Sequence, residues 1–111
     1  PLYLLRKGEL IITKATKRPI GSFKRKTIPH FENHTINLEI GDQIYIFTDG
    51  YSDQFGGGDG FKFTSSRFRN VILENANSEM DVQLEALDKA FTSWKGNEEQ
   101  LDDVCVIGVK V

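Results

Sequence analysis

The stretch that decides the fold is QIYIFTDG, residues 43–50. From Gln43 to Thr48 it is uncharged and rich in β-branched and aromatic residues, and this composition predicts a strand buried on both faces. The strand then meets Asp49 and Gly50, a pair that favours a tight turn because glycine tolerates backbone angles closed to other residues. We therefore expect a carboxylate at the end of a buried strand, a common place for functional side chains.

Four further runs predict the other strands. Residues 2–6 and 9–13 are mostly apolar and flank Lys7-Gly8, the pattern of a β-hairpin with a two-residue turn. Alternation of polar and apolar residues over 34–38 predicts a half-buried strand, and the apolar run 104–111 predicts the last one. These elements surround the strand at 43–48 and favour a largely antiparallel sheet.

Two helices are predicted between the Asp-Gly turn and the last strand. The first runs from Arg67 toward Asn75 with Thr64 or Ser65 as its N-cap. The second ends before Gly96, a frequent C-terminal residue of helices. Its apolar stripe has spacings of four, three, four and three and consists of Met80, Leu84, Leu87, Phe91 and Trp94. Strands followed by grouped helices indicate an α+β fold with helices over one face of the sheet.

Composition restricts the class of protein. The chain has 111 residues, 39% of them apolar and 27% charged, which is typical of one globular domain or part of one. No run approaches the ~20 apolar residues of a membrane span, and the first residues are not a signal peptide. A single cysteine, Cys105, excludes an internal disulfide and a cysteine-based zinc site. Because it lies in an apolar run, we expect Cys105 to be inert core, and the cysteine content fits a cytoplasmic location.

Charge is distributed unevenly along the chain. Residues 1–31 hold eight Lys or Arg and one acid, a charge of +7, whereas residues 32–111 hold six and fifteen, a charge of −9. The basic part is either a surface for an acidic or phosphorylated partner or a solvated loop and strand face. The net charge of −2 and the absence of a recognisable module argue against nucleic-acid binding.

Asp49 and Asp102 are the candidate metal ligands. Asp49 follows the buried strand, and Asp102 stands beside a second acid, Asp103, just before the last strand. Adjacent acids repel each other unless a positive charge is near, so convergence on a hard cation such as Mg²⁺ or Mn²⁺ is one interpretation. The alternative is that all three are ordinary turn residues exposed to solvent. The two histidines, His30 and His34, have no spacing that makes them ligands.

One combination of motifs is more specific. The string GDQIYIFTDGYSD, residues 41–53, followed some fifty residues later by Asp102-Asp103-Val104, resembles the C-terminal half of a PPM-type (protein phosphatase 2C-like) serine/threonine phosphatase. The most similar branch is the bacterial stage II sporulation protein E-like group. Pro19-Ile20-Gly21 is similar to a turn of that family. The resemblance implies that residues 1–111 are the C-terminal part of a phosphatase domain, a fragment of an antiparallel β-sandwich flanked by helices.

The resemblance also implies a chemistry. Family members are metal-dependent phosphatases in which two Mg²⁺ or Mn²⁺ ions bridge a water that attacks the phosphorus of phosphoserine or phosphothreonine. Asp49 and Asp102 match two metal ligands, Gly50 the turn residue, and Asp103 a position that orients the ligands. No catalytic side chain beyond the metal ligands is implied. The group suggests a signalling role in sigma-factor regulation, with a phosphoprotein substrate such as an anti-anti-sigma-factor-like protein.

The chain also departs from the family pattern. The N-terminal Asp-x-Thr-Gly-His-Gly-like segment, whose aspartate bridges both metals in the family, is absent from residues 1–111. We therefore expect this fragment to bind metal weakly and to be inactive on its own. Missing strands would leave apolar sheet faces open, and a homodimer is one way to cover them. A non-catalytic regulatory or binding module of the same fold is the alternative. No contact of this segment with a membrane is expected, although other domains of the parent protein could tether it to one.

Overall fold

The computed structural model describes residues 1–18 and 30–111. The turn predicted at Pro19-Ile20-Gly21 and the basic residues 24–26 lie outside the described residues. The elements, in chain order, are β1 (Leu2–Arg6), β2 (Glu9–Thr13), β3 (Gln43–Phe47), β4 (Phe55–Gly56), β5 (Phe61–Lys62), α1 (Ser65–Glu74), α2 (Met80–Lys95) and β6 (Val106–Lys110). Neither of the two helices in these ranges is long and apolar enough to cross a bilayer.

A four-stranded antiparallel sheet forms the framework, with strand order β2-β1-β3-β6. β1 and β2 form the predicted hairpin, and Lys7 and Gly8 at its turn both have positive φ, 50° and 78°, as two-residue hairpin turns that match strand twist require. β3 pairs with β1 on one side and with β6 on the other. The predicted α+β architecture with a largely antiparallel sheet is confirmed.

Both helices begin and end close to the predicted residues. Thr64 is the N-cap of α1, and its hydroxyl oxygen accepts a hydrogen bond from the amide of Arg67 at 3.4 Å. α2 ends at Lys95, and Gly96, with a positive φ of 53°, is its C-cap. These agreements arise because caps and glycine act on the backbone within one turn of their own position.

The helices cover one face of the sheet. Tyr3, Leu5 and Tyr45 point from β1 and β3 into a cluster of buried side chains that includes Phe68 and Ile72 of α1. The predicted stripe of α2 is wrong in one residue, because Leu84 is 66% exposed. The buried side chain on that turn of α2 is Gln83.

A polar network explains why Gln83 is buried. The Tyr45 hydroxyl donates to the side-chain oxygen of Gln83, and the Gln83 amide donates to Gln43 at 2.6 Å and to the carbonyl of Ser78 at 3.0 Å. Burial raises the pKa of Tyr45. Since buried polar groups are costly only when unpaired, this network ties α2 to β3 more specifically than an apolar residue at position 83 would.

Two predictions about strands are wrong. Burial of residues 43–48 on both faces does not hold, because Ile46 is 48% exposed on the face opposite the helices. Residues 34–38 form no strand. The segment is held instead by a side-chain contact, in which Arg6 Nη2 donates to the carbonyl of Asn37 at 2.9 Å. Alternating residues form a half-buried strand only where they pair with a sheet edge and one side is covered, and residues 34–38 pair with neither edge strand, β2 or β6, and are exposed apart from the half-buried Ile36.

A partly buried ion pair fixes the start of β3. Arg6 donates from Nε and Nη2 to the two carboxylate oxygens of Asp42 at 3.0 and 2.7 Å, and the amide of Glu39 donates to the same carboxylate at 2.8 Å. The Asp42 side chain is only 2% exposed. The hydrogen bonds from Arg6 and Glu39 lower the pKa of Asp42, because they stabilise the charged form more than burial penalises it.

We predict that Asp42→Asn destabilises the fold at neutral pH and weakens its acid sensitivity. A carboxylate whose pKa is lowered by folding stabilises the folded state above its unfolded pKa of about 3.9, and this contribution disappears as the pH falls toward the folded value. Urea unfolding at pH 7 and pH 3 measures both effects. Asp59→Asn, at an exposed carboxylate, is the control. An unchanged acid-induced loss of stability in Asp42→Asn would contradict the assignment.

Candidate functional site

Asp49 lies where β3 gives way to a turn. It is exposed, and its carbonyl oxygen accepts from the amide of Asp53 at 2.9 Å and from the Ser52 hydroxyl at 3.3 Å. These bonds fold residues 49–53 into a compact turn directly after the strand. The carboxylate of Asp49 is therefore carried on backbone that is fixed by the sheet on one side and by the turn on the other.

Asp102 and Asp103 occupy the segment that leads into β6. Both are exposed, and the Asp102 carboxylate accepts a hydrogen bond from the amide of Asp103 at 2.8 Å. Gln100 donates to the carbonyl of Asp102 at 3.0 Å. As for Asp49, the local hydrogen bonds hold the backbone and leave carboxylate oxygens free to face solvent.

The fold brings these two segments together. Gly50 is buried against the second segment so closely that an added Cβ would lie under 3.0 Å from the carbonyl oxygen of Asp103. Thr48 donates from its hydroxyl to that same carbonyl at 2.9 Å. Asp49 thus lies between two residues that both contact Asp103, although the two segments are more than fifty residues apart in sequence.

The donor chemistry of this site suits a hard cation. Asp49, Asp102 and Asp103 offer only oxygen ligands, the preference of Mg²⁺ and Mn²⁺. Within residues 1–18 and 30–111, none of the three carboxylates is in an ion pair. The same residues contain no group of three His, Cys, Asp or Glu side chains arranged around one metal position. The donors therefore fit such an ion in kind, and the described residues do not form a complete ligand set.

A small cleft adjoins the Asp102 side of the site. It has a volume of about 240 Å³ and is lined by Gly50, Asp53, Gln54, Phe55, Lys62, Leu101 and Asp102. Lys62 Nζ lies 3.5 Å from a carboxylate oxygen of Asp53, and both side chains are about half exposed. A cation beside acidic residues lowers their mutual repulsion and also provides a positive charge that an anionic group could approach.

The glycine-rich run forms a small hairpin beside this cleft. Residues 55–56 and 61–62 pair as β4 and β5, a feature that the sequence analysis did not predict. Gly56 packs on the carbonyl of Trp94 with no room for a Cβ, and the Trp94 indole donates to the carbonyls of Gln54 and Phe61 at 3.1 and 3.2 Å. The loop is therefore anchored on the end of α2.

Other candidates from the sequence remain apart from the site or differ from expectation. Cys105 is exposed and precedes β6, so its assignment to the inert core is wrong. His30 is exposed. His34 is exposed as well, with Nε2 at 3.9 Å from a carboxylate oxygen of Glu32.

Sequence reasoning missed Thr48, Lys62 and Gln54. Thr48 could have been noticed as the one hydroxyl at the end of an apolar strand. Gln54 is buried and donates to the carbonyls of Phe55 and Glu99 at 3.0 and 2.9 Å, a role that depends on contacts distant in sequence. Lys62 carries no local pattern that distinguishes it from other surface lysines.

We predict that Gly50→Ala lowers the free energy of unfolding by about 3 kcal/mol, the upper part of the range for overpacked sites. The methyl group would push the Asp103 carbonyl away and separate the two acidic segments. Urea unfolding measures the loss.

Gly58→Ala is the control, since Gly58 has open space around it and a φ of +84°, so that only backbone strain of about 1–2 kcal/mol applies. Equal losses in the two variants would refute the close packing of Gly50 on Asp103.

Comparisons with known proteins identify the family of the chain. The chain matches the family of stage II sporulation protein E (SpoIIE) over residues 1–111. Among solved structures it is similar to the SiaA-PP2C domain of Pseudomonas aeruginosa, with a TM-score of 0.84 and 30% sequence identity over 99% of this chain and 42% of that chain. A search of curated proteins gave no match. The chain thus spans less than half of the solved structure, and it belongs to the stage II sporulation protein E family of PPM-type (protein phosphatase 2C-like) phosphatases.

Proposed function

We propose that this chain is part of a Mg²⁺- or Mn²⁺-dependent phosphatase that hydrolyses phosphoserine or phosphothreonine in a bacterial signalling protein. The observation that carries the proposal is the contact between the Asp49 turn and the Asp102-Asp103 segment, made by Gly50 and Thr48. It places exposed carboxylates from two distant parts of the chain at one end of the sheet. The chain belongs to a phosphatase family whose members generally use Mg²⁺ or Mn²⁺, which supports the assignment of this acidic site as a metal site.

The residues have distinct roles in this proposal. Asp49 and Asp102 hold the cation, and Asp103 orients the segment that carries Asp102. Gly50 permits the close approach of the two segments. A bound divalent ion would supply activation of water and neutralisation of charge on the transferred phosphoryl group. Lys62, which lines the adjoining cleft, adds a positive charge that a phosphate could approach.

We further propose that residues 1–111 are the C-terminal part of a larger phosphatase domain. In support, the chain covers 42% of the SiaA-PP2C chain. The sheet face opposite the helices also carries half-exposed apolar side chains, among them Ile46, Ile107 and Val109. These residues face the same way because Ile44 pairs with Val109 and Ile46 with Ile107. A face of this kind needs a cover, which the rest of a sandwich would provide.

The partner of this site is proposed to be a phosphoprotein, with an anti-anti-sigma-factor-like protein as the class suggested by the family resemblance. A cytoplasmic location is part of the same proposal. A homodimer through the open sheet face is the expected alternative when the rest of the domain is missing.

We predict that Asp49→Asn and Asp102→Asn each weaken Mn²⁺ binding at least tenfold in the whole protein that contains this chain. Each change removes an anionic oxygen ligand, and its loss is felt directly by a hard cation. Isothermal titration of Mn²⁺ measures the affinity, and turnover of p-nitrophenyl phosphate should fall in parallel.

Glu85→Gln is the matched control, because it removes one negative charge from an exposed site on α2 and should leave both quantities unchanged. Full Mn²⁺ affinity in both Asp variants would exclude the proposed metal site. Metal binding without turnover would favour the alternative of a non-catalytic module.

We also predict that the isolated 111-residue chain has negligible phosphatase activity and weak Mn²⁺ binding, and that the longer protein has both. The reason is that the described carboxylates form only part of a ligand set. Assays with p-nitrophenyl phosphate and Mn²⁺, run on the two proteins side by side, measure the difference. Robust turnover by the isolated chain that Asp49→Asn abolishes would disprove the incompleteness.

A further inference from the structure

Thr48 occupies an unusual place at the end of the β3–β6 ladder. The ladder pairs Phe47 with Val106, and Thr48 would pair next with Cys105. The Thr48 amide does donate to the carbonyl of Cys105 at 3.0 Å. In a regular antiparallel pair the Cys105 amide would donate to a backbone carbonyl. It donates instead to the Thr48 hydroxyl oxygen at 3.0 Å.

The same hydroxyl makes a second bond in the opposite sense. It donates to the carbonyl of Asp103 at 2.9 Å. One side-chain oxygen therefore accepts from Cys105 and donates to Asp103, and uses both capacities of a hydroxyl. With the hydrogen bond from the Thr48 backbone N–H to Cys105, three hydrogen bonds that involve Thr48 hold residues 103–105 against the end of β3.

The use of the Thr48 hydroxyl as a backbone acceptor affects the position of Asp49. Because a side chain replaces the Thr48 carbonyl as acceptor in the ladder, the backbone after Thr48 can leave the sheet while the two segments stay joined. The turn at 49–53 then starts beside Asp103, where Gly50 packs on the Asp103 carbonyl. The separation of the Asp49 and Asp102-Asp103 backbones is thus set by hydrogen bonds that exist without any cation.

We infer that Thr48 is a positioning residue that preorganises the acidic half-site by joining the Asp49 turn to the Asp102-Asp103 segment, an inference that rests on the proposed metal-dependent function. Carboxylates close to one another repel when no cation is present. Bonds that hold their backbones together reduce the reorganisation needed when the ion arrives, and the loss of outer contacts that orient ligands typically lowers metal affinity 10–100-fold.

The chemistry of the residue gives a sharp pair of variants. Thr48→Val keeps the shape and removes both hydrogen bonds of the hydroxyl, whereas Thr48→Ser keeps the hydroxyl and removes a methyl group. The five residue pairs of the β3–β6 ladder remain in each case. We therefore expect Thr48→Val to lower the melting temperature by only about 5 °C, as the loss of one or two exposed hydrogen bonds would.

The experiment measures Mn²⁺ affinity by isothermal titration and hydrogen exchange of the Cys105 amide in the metal-free state, on the whole protein. Thr48→Val is expected to weaken Mn²⁺ binding about 10–100-fold and to accelerate exchange at Cys105. Thr48→Ser is expected to keep both within about threefold of the wild type. Thr48→Ala is a second variant without the hydroxyl if Thr48→Val does not fold, and Asp49→Asn is the reference for loss of a ligand.

The outcomes separate this inference from the proposed function. Loss of Mn²⁺ binding in Asp49→Asn with full affinity in Thr48→Val overturns the role of Thr48 and leaves the metal site standing. Faster exchange at Cys105 with unchanged Mn²⁺ affinity also overturns it, because the bond would then be structural only. A loss of affinity in Thr48→Ser as large as in Thr48→Val shows that the hydroxyl is not the cause. Mn²⁺ affinity that is unchanged in Asp49→Asn and in Asp102→Asn removes the proposed function itself, and this inference with it.

Discussion

The contact between Gly50 and the carbonyl of Asp103 is the constraint on which the candidate site depends. No side chain fits between them, so the turn after β3 and the segment before β6 share one surface. This approach is possible only because β3 and β6 are already paired along their length. The sheet therefore does more than carry the core, since its register decides which two parts of the chain meet at its end.

The helix side of the sheet supplies the rigidity that this constraint needs. Tyr51, which follows Gly50, is buried, and its hydroxyl donates to the carbonyl of Leu87 at 2.6 Å. Burial is the main reason why the pKa of Tyr51 lies well above its usual value. Its ring packs against those of Phe63, Phe68 and Phe91 with centroids 5.0–5.3 Å apart, distances typical of stabilising aromatic pairs. The Asp49 turn is thus anchored in the core one residue beyond its glycine.

Local signals account for the parts of the fold that the sequence predicted well. The Lys7-Gly8 turn, the Thr64 cap and the Gly96 end each act within a few residues, so their effect is visible in the chain itself. The strand predicted at 34–38 and the burial of Leu84 were wrong because they depend on partners distant in sequence. The Gln83 network shows this dependence, since its partner Gln43 lies forty residues away. For the same reason, Asp49 and Asp102 could be named from the sequence as candidates, with roles implied by the family resemblance, whereas the hydrogen bonds of Thr48 to the segment of Asp102 could not be predicted.

The aspartates of this chain fall into two groups with opposite electrostatic environments. Asp42 is buried and bound by Arg6 through two hydrogen bonds, so its charge is satisfied within the fold. Asp49, Asp102 and Asp103 are exposed and have no ion-pair partner in the described ranges, although the backbone holds their segments together. Like charges repel each other when they are held near one another, and a cation between them removes that repulsion. In the proposed function, these unpaired carboxylates are the groups that would bind a hard divalent cation, because all of their donor atoms are oxygen.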